Sequence, residues 1–149
     1  MGEATVRGFD EAETREYLVS LLRRRSRQAL KRAIWCLEQG DYDGASFNAE
    51  QSVQLYLKSV ILEFADMPAR GHEIRKLLGY VGSLLSIEGE VSEFIGNNRL
   101  KFLALEDAYY NARYLPKEYD RESAKELIRF AKEVISFVET KRRSAGKKS

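Results

Sequence analysis

Residues 41–64, DYDGASFNAEQSVQLYLKSVILEF, decide how the rest of the chain is read. The stretch has no proline, and its only glycine, Gly44, lies near its start. It predicts a helix of about six turns at ~3.6 residues per turn. Asp41 or Asp43 is placed to cap it by accepting from the free N–H groups of the first turn. One apolar stripe runs through Ala45, Ala49, Ser52/Val53, Tyr56/Leu57, Val60 and Phe64. The steps of three and four keep it on one face. A second apolar set, Phe47, Leu55, Ile61 and Leu62, falls on the far side. A helix that is apolar on two sides must be covered on two sides. It is therefore either the centre of a bundle or shared between a bundle and a dimer contact. Glu50, Gln54 and Lys58, spaced by four, form a polar line between the two faces that can pair with itself.

The chain around this helix has 149 residues, 44% hydrophobic and 32% charged, with two prolines. That predicts one ordered, helical domain able to bury a real core. Its 25 basic and 23 acidic residues leave a net charge of only +2, so any nucleic-acid site must come from a local patch. The single cysteine, Cys36, excludes an internal disulfide framework and fits a reducing cytoplasm. The first residues lack the apolar segment of a signal peptide or the lipidation pattern, and no apolar run reaches the ~20 residues of a membrane span.

Residues 1–10 read as a flexible arm, 11–143 as the helical domain and 144–149 as a flexible basic tail. The first helix is expected over about residues 12–38, with Leu18, Leu21/Leu22, Arg25, Ala29, Ala33 and Leu37 on its inner stripe. Arg25 interrupts that stripe, either with its stem on the core and its head in water or lining a polar site. Arg23, Arg24, Arg27, Lys31 and Arg32 crowd the other side, as a solvated face or as a patch for RNA or an acidic partner. Gln39-Gly40 ends the helix. Beyond the loop at 65–71, His72-Glu73 opens a third helix that fades by residues 86–89, and Val91–Ile95 reads as a short apolar turn. A fourth helix is expected over 99–112, with Leu100, Leu103 and Ala108 inward and Phe102 and Leu105 beside them. Pro116 ends it. Asp120 caps a last helix whose stripe is Ala124, Leu127/Ile128, Ala131, Val134/Ile135 and Val138. No period-two pattern marks a strand. The expectation is an all-α, up-and-down bundle of four long helices plus one short helix.

The chemistry on offer is sparse. One His and one Cys lie in different helices, no metal-ligand spacing occurs, and no glycine-rich phosphate loop is present, so no metal or cofactor is expected. His72 follows Gly71 at a helix start, where its ring either bonds locally or takes part in a site; the helix dipole there favours neutral imidazole. The richest polar segment is Tyr109–Tyr119, which holds four of the eight tyrosines around Asn111 and Arg113. Arg offers a rigid fork for phosphate, and Tyr offers a surface on which a base can stack. The plain alternative packs two of these tyrosines in the core and pairs Arg113 with Glu106 or Asp107.

Three strings together carry a resemblance: Asp41-Tyr42 through Lys58, Gly71-His72-Glu73-Ile74-Arg75-Lys76-Leu77-Leu78, and Asp107-Ala108-Tyr109-Tyr110-Asn111-Ala112-Arg113-Tyr114. In their order and spacing the chain resembles a HEPN domain (higher eukaryotes and prokaryotes nucleotide-binding) over roughly residues 14–140. The resemblance implies a helical bundle that forms a homodimer, often encoded beside a minimal nucleotidyltransferase in a toxin–antitoxin-like pair. It also implies a link to metal-independent endoribonucleases, which use an Arg followed after four to six residues by a His. This chain departs from that motif. The positions after Arg113 hold Glu118, Tyr119 and Asp120, those after Arg99 hold Ala104, Leu105 and Glu106, and those before His72 hold Ala65, Asp66 and Met67. The acid–base partner that a 2′-OH attack needs is thus missing from the motif, and no catalytic residue is assigned.

The reading is a binding module, without catalysis, for a nucleotide, RNA or a nucleotidyltransferase through Arg113, Tyr110, Asn111 and Tyr114, with His72 and Arg25 as secondary candidates. The alternative is a ribonuclease with a rearranged site in which Arg113 grips phosphate and His72 moves protons. A plain scaffold dimerising through Phe47, Leu55 and Leu62 is the third reading.

Overall fold

The computed structural model describes residues 10–65, 67–115 and 119–148. Six helices follow in order: α1 (Glu11–Glu38), α2 (Tyr42–Phe64), α3 (Ile74–Leu84), α4 (Glu88–Asn97), α5 (Arg99–Tyr114) and α6 (Arg121–Lys148). No strand occurs among the described residues. Of the expected flexible arm, residues 1–9 lie outside the described residues; of the expected tail, 144–148 continue α6 and Ser149 lies outside.

The helix ends follow from local chemistry. Asp10 caps α1 by accepting from the Glu13 amide at 2.7 Å, while the Glu13 side chain reaches back to the Asp10 amide. Gly40, at φ +80°, turns the chain out of α1. Asp41, not Asp43, caps α2 by accepting from the Gly44 amide at 2.9 Å. Asp43 instead accepts from the Tyr119 amide at 3.2 Å, tying the start of α2 to the link before α6. Asp120 caps α6 by accepting from the Ser123 amide at 2.8 Å.

Helix α2 is the centre: α1, α6, α5 and α3 all pack on it. Ala45, Ala49, Val53, Leu57, Val60 and Ile61 are wholly buried. The α1–α2 contact is close because small residues line it. Ser26, Ala29 and Ala33 of α1 are buried, and the Ser26 hydroxyl donates to the Ser52 carbonyl at 2.6 Å. At the other end of α2, a charged clasp joins three helices. Tyr56 bonds to Glu139, Arg142 donates to Glu139 at 2.6 Å, and Arg23 pairs with Glu63. Arg142 holds the Glu139 carboxyl down at about 2, while burial pushes the Tyr56 phenol up.

Four expectations need correction. Among the described residues there are six helices rather than four long and one short, because the apolar turn at 91–95 is the middle of a ten-residue helix, α4. Ser86, at φ 59°, reverses the chain so that α4 folds back on α3. Gly82 permits the approach: a Cβ there would lie 3.0 Å from the Val91 side chain. In α5 the inner stripe is Phe102, Leu105 and Ala108, whereas Leu100 is 80% exposed and Leu103 is at the surface. Phe102 decides this rotation by fitting edge-on to Phe130 and Phe94, at 4.8 and 5.7 Å between centroids. In α1 the inner stripe is Val19, Ser26, Ala29, Ala33 and Cys36; Leu18 and Arg25 face water. Last, Phe64 ends the α2 stripe at the surface rather than in the core. The α6 stripe is buried as read, with Phe130 added to it.

No helix among the described residues is long and apolar enough to cross a membrane.

Candidate functional site

The polar line of α2 pairs with itself, as its spacing predicts. Gln54 donates to Glu50 at 2.7 Å and Lys58 donates to Gln54 at 3.0 Å. The depth of Glu50 is not a matter of spacing: its side chain is wholly buried. Burial pushes its carboxyl up to about 7, opposed by hydrogen bonds from Gln51 and Gln54 and by the charges of Lys58 and Arg113. A carboxyl that titrates near neutrality thus lies within electrostatic reach of Arg113.

Arg113 sits in the last turn of α5. Its guanidinium carbon is 4.4 Å from the Tyr109 ring centre, 5.0 Å from Tyr114 and 5.4 Å from Phe47. These are cation–π distances. Its Nε donates to the Tyr109 carbonyl at 2.8 Å, which fixes the fork and leaves the two terminal nitrogens. Among the described residues no carboxylate pairs with it. The competing pairing fails because Glu106 is taken by Arg75. Arg75 Nη2 meets Glu106 at 2.9 Å, and the Arg75 amide donates to the same carboxylate at 2.9 Å. Glu106 therefore also caps the start of α3, which has no cap of its own.

That cap positions the segment before α3. Gly71, at φ +87°, turns the chain so that the His72 ring lies flat on Tyr109, at 4.1 Å and 9° between planes. His72 and Arg113 thus share one phenol ring. Among the described residues His72 neither caps α3 nor hydrogen-bonds locally. It borders a surface hollow of about 340 Å³ lined also by Arg70, Lys76 and Tyr80.

Of the expected binding set Arg113, Tyr110, Asn111 and Tyr114, the structure brings three into contact. Tyr114 lies on Arg113, and Tyr110 packs on Tyr114 at 4.7 Å. Both rings are more than half exposed. Asn111 is half-buried on the same helix, where its carbonyl accepts from the Leu115 amide at 3.0 Å. Arg25 lies exposed on α1 and contacts none of the cluster. Of the proposed dimer face, Phe47 lies under Arg113, Leu55 is half-buried, and Leu62 is buried within its own chain, 8% exposed.

Two members were not assigned to the site from sequence. Tyr109 lay in the tyrosine-rich segment singled out from sequence but was left off the binding set, although its spacing of four from Arg113 puts both on one face. Glu50 could not have been placed there, because only the packing of neighbouring helices makes it a buried acid. Among the described residues no group of three His, Cys, Asp or Glu side chains forms a metal site. The cluster can hold an anion against Arg113 and stack a planar ring on Tyr110 or Tyr114.

Comparison with known proteins bears on this geometry. The profile of the HEPN domain family matches residues 19–141. TT1696 from Thermus thermophilus, known from a crystal structure, is similar with a TM-score of 0.69 and 26% identity; the alignment covers 83% of this chain and 97% of that one. No curated protein matches the chain.

Proposed function

Because the chain belongs to the HEPN domain family, we propose that it is a homodimeric binding module whose Arg113 cluster takes the phosphate of a nucleotide or of RNA. A minimal nucleotidyltransferase, as in toxin–antitoxin-like pairs, is the protein partner that fits this reading. The observation that carries it is the state of Arg113. Its guanidinium is held between rings, bonded only through Nε, and left without a carboxylate among the described residues. A charged donor fixed in this way meets phosphate with little entropy left to lose. Tyr110 and Tyr114 supply the adjoining faces for a base. Phe47 and Leu55 of α2 are both part-exposed, and we place the second copy there.

The test is titration of the protein with ATP and, separately, with single-stranded RNA. Arg113→Ala is expected to weaken binding at least tenfold, as loss of a charged hydrogen bond costs about 1.5–3 kcal/mol. Unchanged affinity for both probes, and for a co-purified nucleotidyltransferase, refutes the assignment.

The His72–Tyr109 stack favours one further reading, an endoribonuclease with a rearranged site. In it Arg113 holds the scissile phosphate and His72 takes the proton from the attacking 2′-OH; the 2′-oxygen–phosphorus bond forms as the phosphorus–5′-oxygen bond breaks, leaving a cyclic phosphate, and the departing 5′-oxygen takes its proton from water. Glu50 is buried beneath and touches no substrate; it acts by charge on Arg113. Full cleavage of single-stranded RNA by His72→Ala removes this reading.

A further inference from the structure

Helix α1 turns Ala29 and Ala33 toward α2, and its opposite face is left uncovered. Between Ser20 and Leu37 the sequence has no acidic residue. Arg24, Arg27, Lys31 and Arg32 are all exposed on this outer side, and none makes an ion pair among the described residues. Arg23, by contrast, turns inward to Glu63 and Ser59. Tyr17 and Trp35 lie on the same line as Arg24 and Lys31, by steps of three and four. They are 62% and 60% exposed, and about 27 Å of helix separates them. Tyr17 and Arg24 border a surface hollow of about 360 Å³. An exposed Trp forgoes much of its burial energy, so packing among the described residues does not explain it.

We infer that this outer face of α1 binds single-stranded RNA, with Arg24, Arg27, Lys31 and Arg32 along the phosphates and Tyr17 and Trp35 stacking on bases at the two ends. The assignment is separate from the Arg113 cluster. Charge complementarity selects a polyanion. The order of residues selects RNA over a protein: protein interfaces have an apolar centre and a polar rim, and this face has the reverse. It also disfavours a membrane surface, since a helix lying in one needs a continuous apolar face. A cationic track with aromatic platforms is what a single strand requires.

The experiment is fluorescence anisotropy of the full chain with a 5′-fluorescein-labelled, mixed-sequence 20-nucleotide RNA from 50 to 200 mM salt. Four phosphate contacts predict a log–log salt slope of about −3, a loss of about 50-fold across that range. In Arg24→Gln/Arg27→Gln/Lys31→Gln the slope falls to about −1 and the loss to about threefold. Gln is a good helix former and these positions are exposed, so circular dichroism of this variant should match the parent. Tyr17→Ala/Trp35→Ala should weaken the single strand at least tenfold and leave a duplex of the same sequence unaffected. A triple variant that binds with the parental slope overturns the inference. So does equal affinity for the duplex, or binding to phosphatidylserine vesicles with the RNA left free. Arg113→Ala should keep a slope within one of the parent. If it loses all binding while the α1 variant binds normally, the α1 face is wrong and the Arg113 reading stands; the opposite pattern has the reverse meaning.

Discussion

Replacing Glu50 with Gln tests the central helix and the electrostatics of the site together. Glu50 is wholly buried in α2, and its carboxyl is raised from 4.5 to about 7 by burial. The folded state therefore holds a proton that the unfolded chain releases at lower pH. The contribution of Glu50 to stability is fully present below pH 4.5, is lost as pH rises, and is gone above about 7. At about 1.36 kcal/mol per pH unit, the displacement amounts to about 3 kcal/mol between those limits. Against a total of about 5–15 kcal/mol this is large. With an m-value of about 2 kcal/mol/M, it moves the urea midpoint by about 1.5 M. The assay is urea unfolding at pH 5 and pH 8, followed by circular dichroism because Trp35 is largely exposed. Glu50→Gln cannot ionise, so the fall in stability from pH 5 to pH 8 should shrink by about 2.5 kcal/mol relative to the parent. The variant also loses an acceptor for Gln51 or Gln54, a cost of about 1 kcal/mol at both pH values that cancels in the comparison. A parent and a variant with the same pH dependence would show that Glu50 is not a buried acid, and the argument would fail.

The charged clasp makes the opposite prediction in acid. Glu139 is lowered from 4.5 to about 2, so its contribution is present above pH 4.5 and is lost as pH falls toward 2. Screened by water, it is worth about 1–2 kcal/mol, and Glu139→Gln should lose that amount at pH 7 and flatten the acid limb of the unfolding curve. Gly82→Ala drives a methyl to 3.0 Å from Val91 and should destabilise by about 1–3 kcal/mol; a thermal midpoint at or above the parent would show that α4 can move aside. Leu55→Glu, on the proposed dimer face, should give a monomer in sedimentation velocity, whereas a persistent dimer moves the contact to another face.

Much of the fold is legible locally. Asp10 and Glu13 make a capping box across three residues, Gly40 ends α1 by its own conformational freedom, and Asp120 caps α6 from three residues away. The stripe of α6 could be read because it was the single apolar face at helical spacing, and most of that of α2 because Ala45, Ala49, Val53, Leu57 and Val60 follow one another by steps of three and four. Helix α5 offered two, Leu100/Leu103 and Phe102/Leu105, and periodicity cannot rank equivalent stripes. Phe102 won through rings on α4 and α6 that no window around it contains. The α4 helix was missed because its short apolar run gains helical form from packing on Gly82. At the site, Arg113, Tyr110 and Tyr114 were visible as residue types able to bind phosphate and stack bases, whereas the part of His72 depended on a ring 37 positions away.

The sequence by itself determined an all-helical chain, the position of most helix ends and the central place of α2, since these rest on caps and spacings within a few residues. The tertiary structure alone decided that Glu106 pairs with Arg75, which leaves Arg113 without that carboxylate, and that His72 shares Tyr109 with it. It alone sealed Glu50 from water. Each of these is a choice among partners far apart in the chain, settled by which charges and rings the packed helices bring within a few ångströms, where desolvation and Coulomb energy become large.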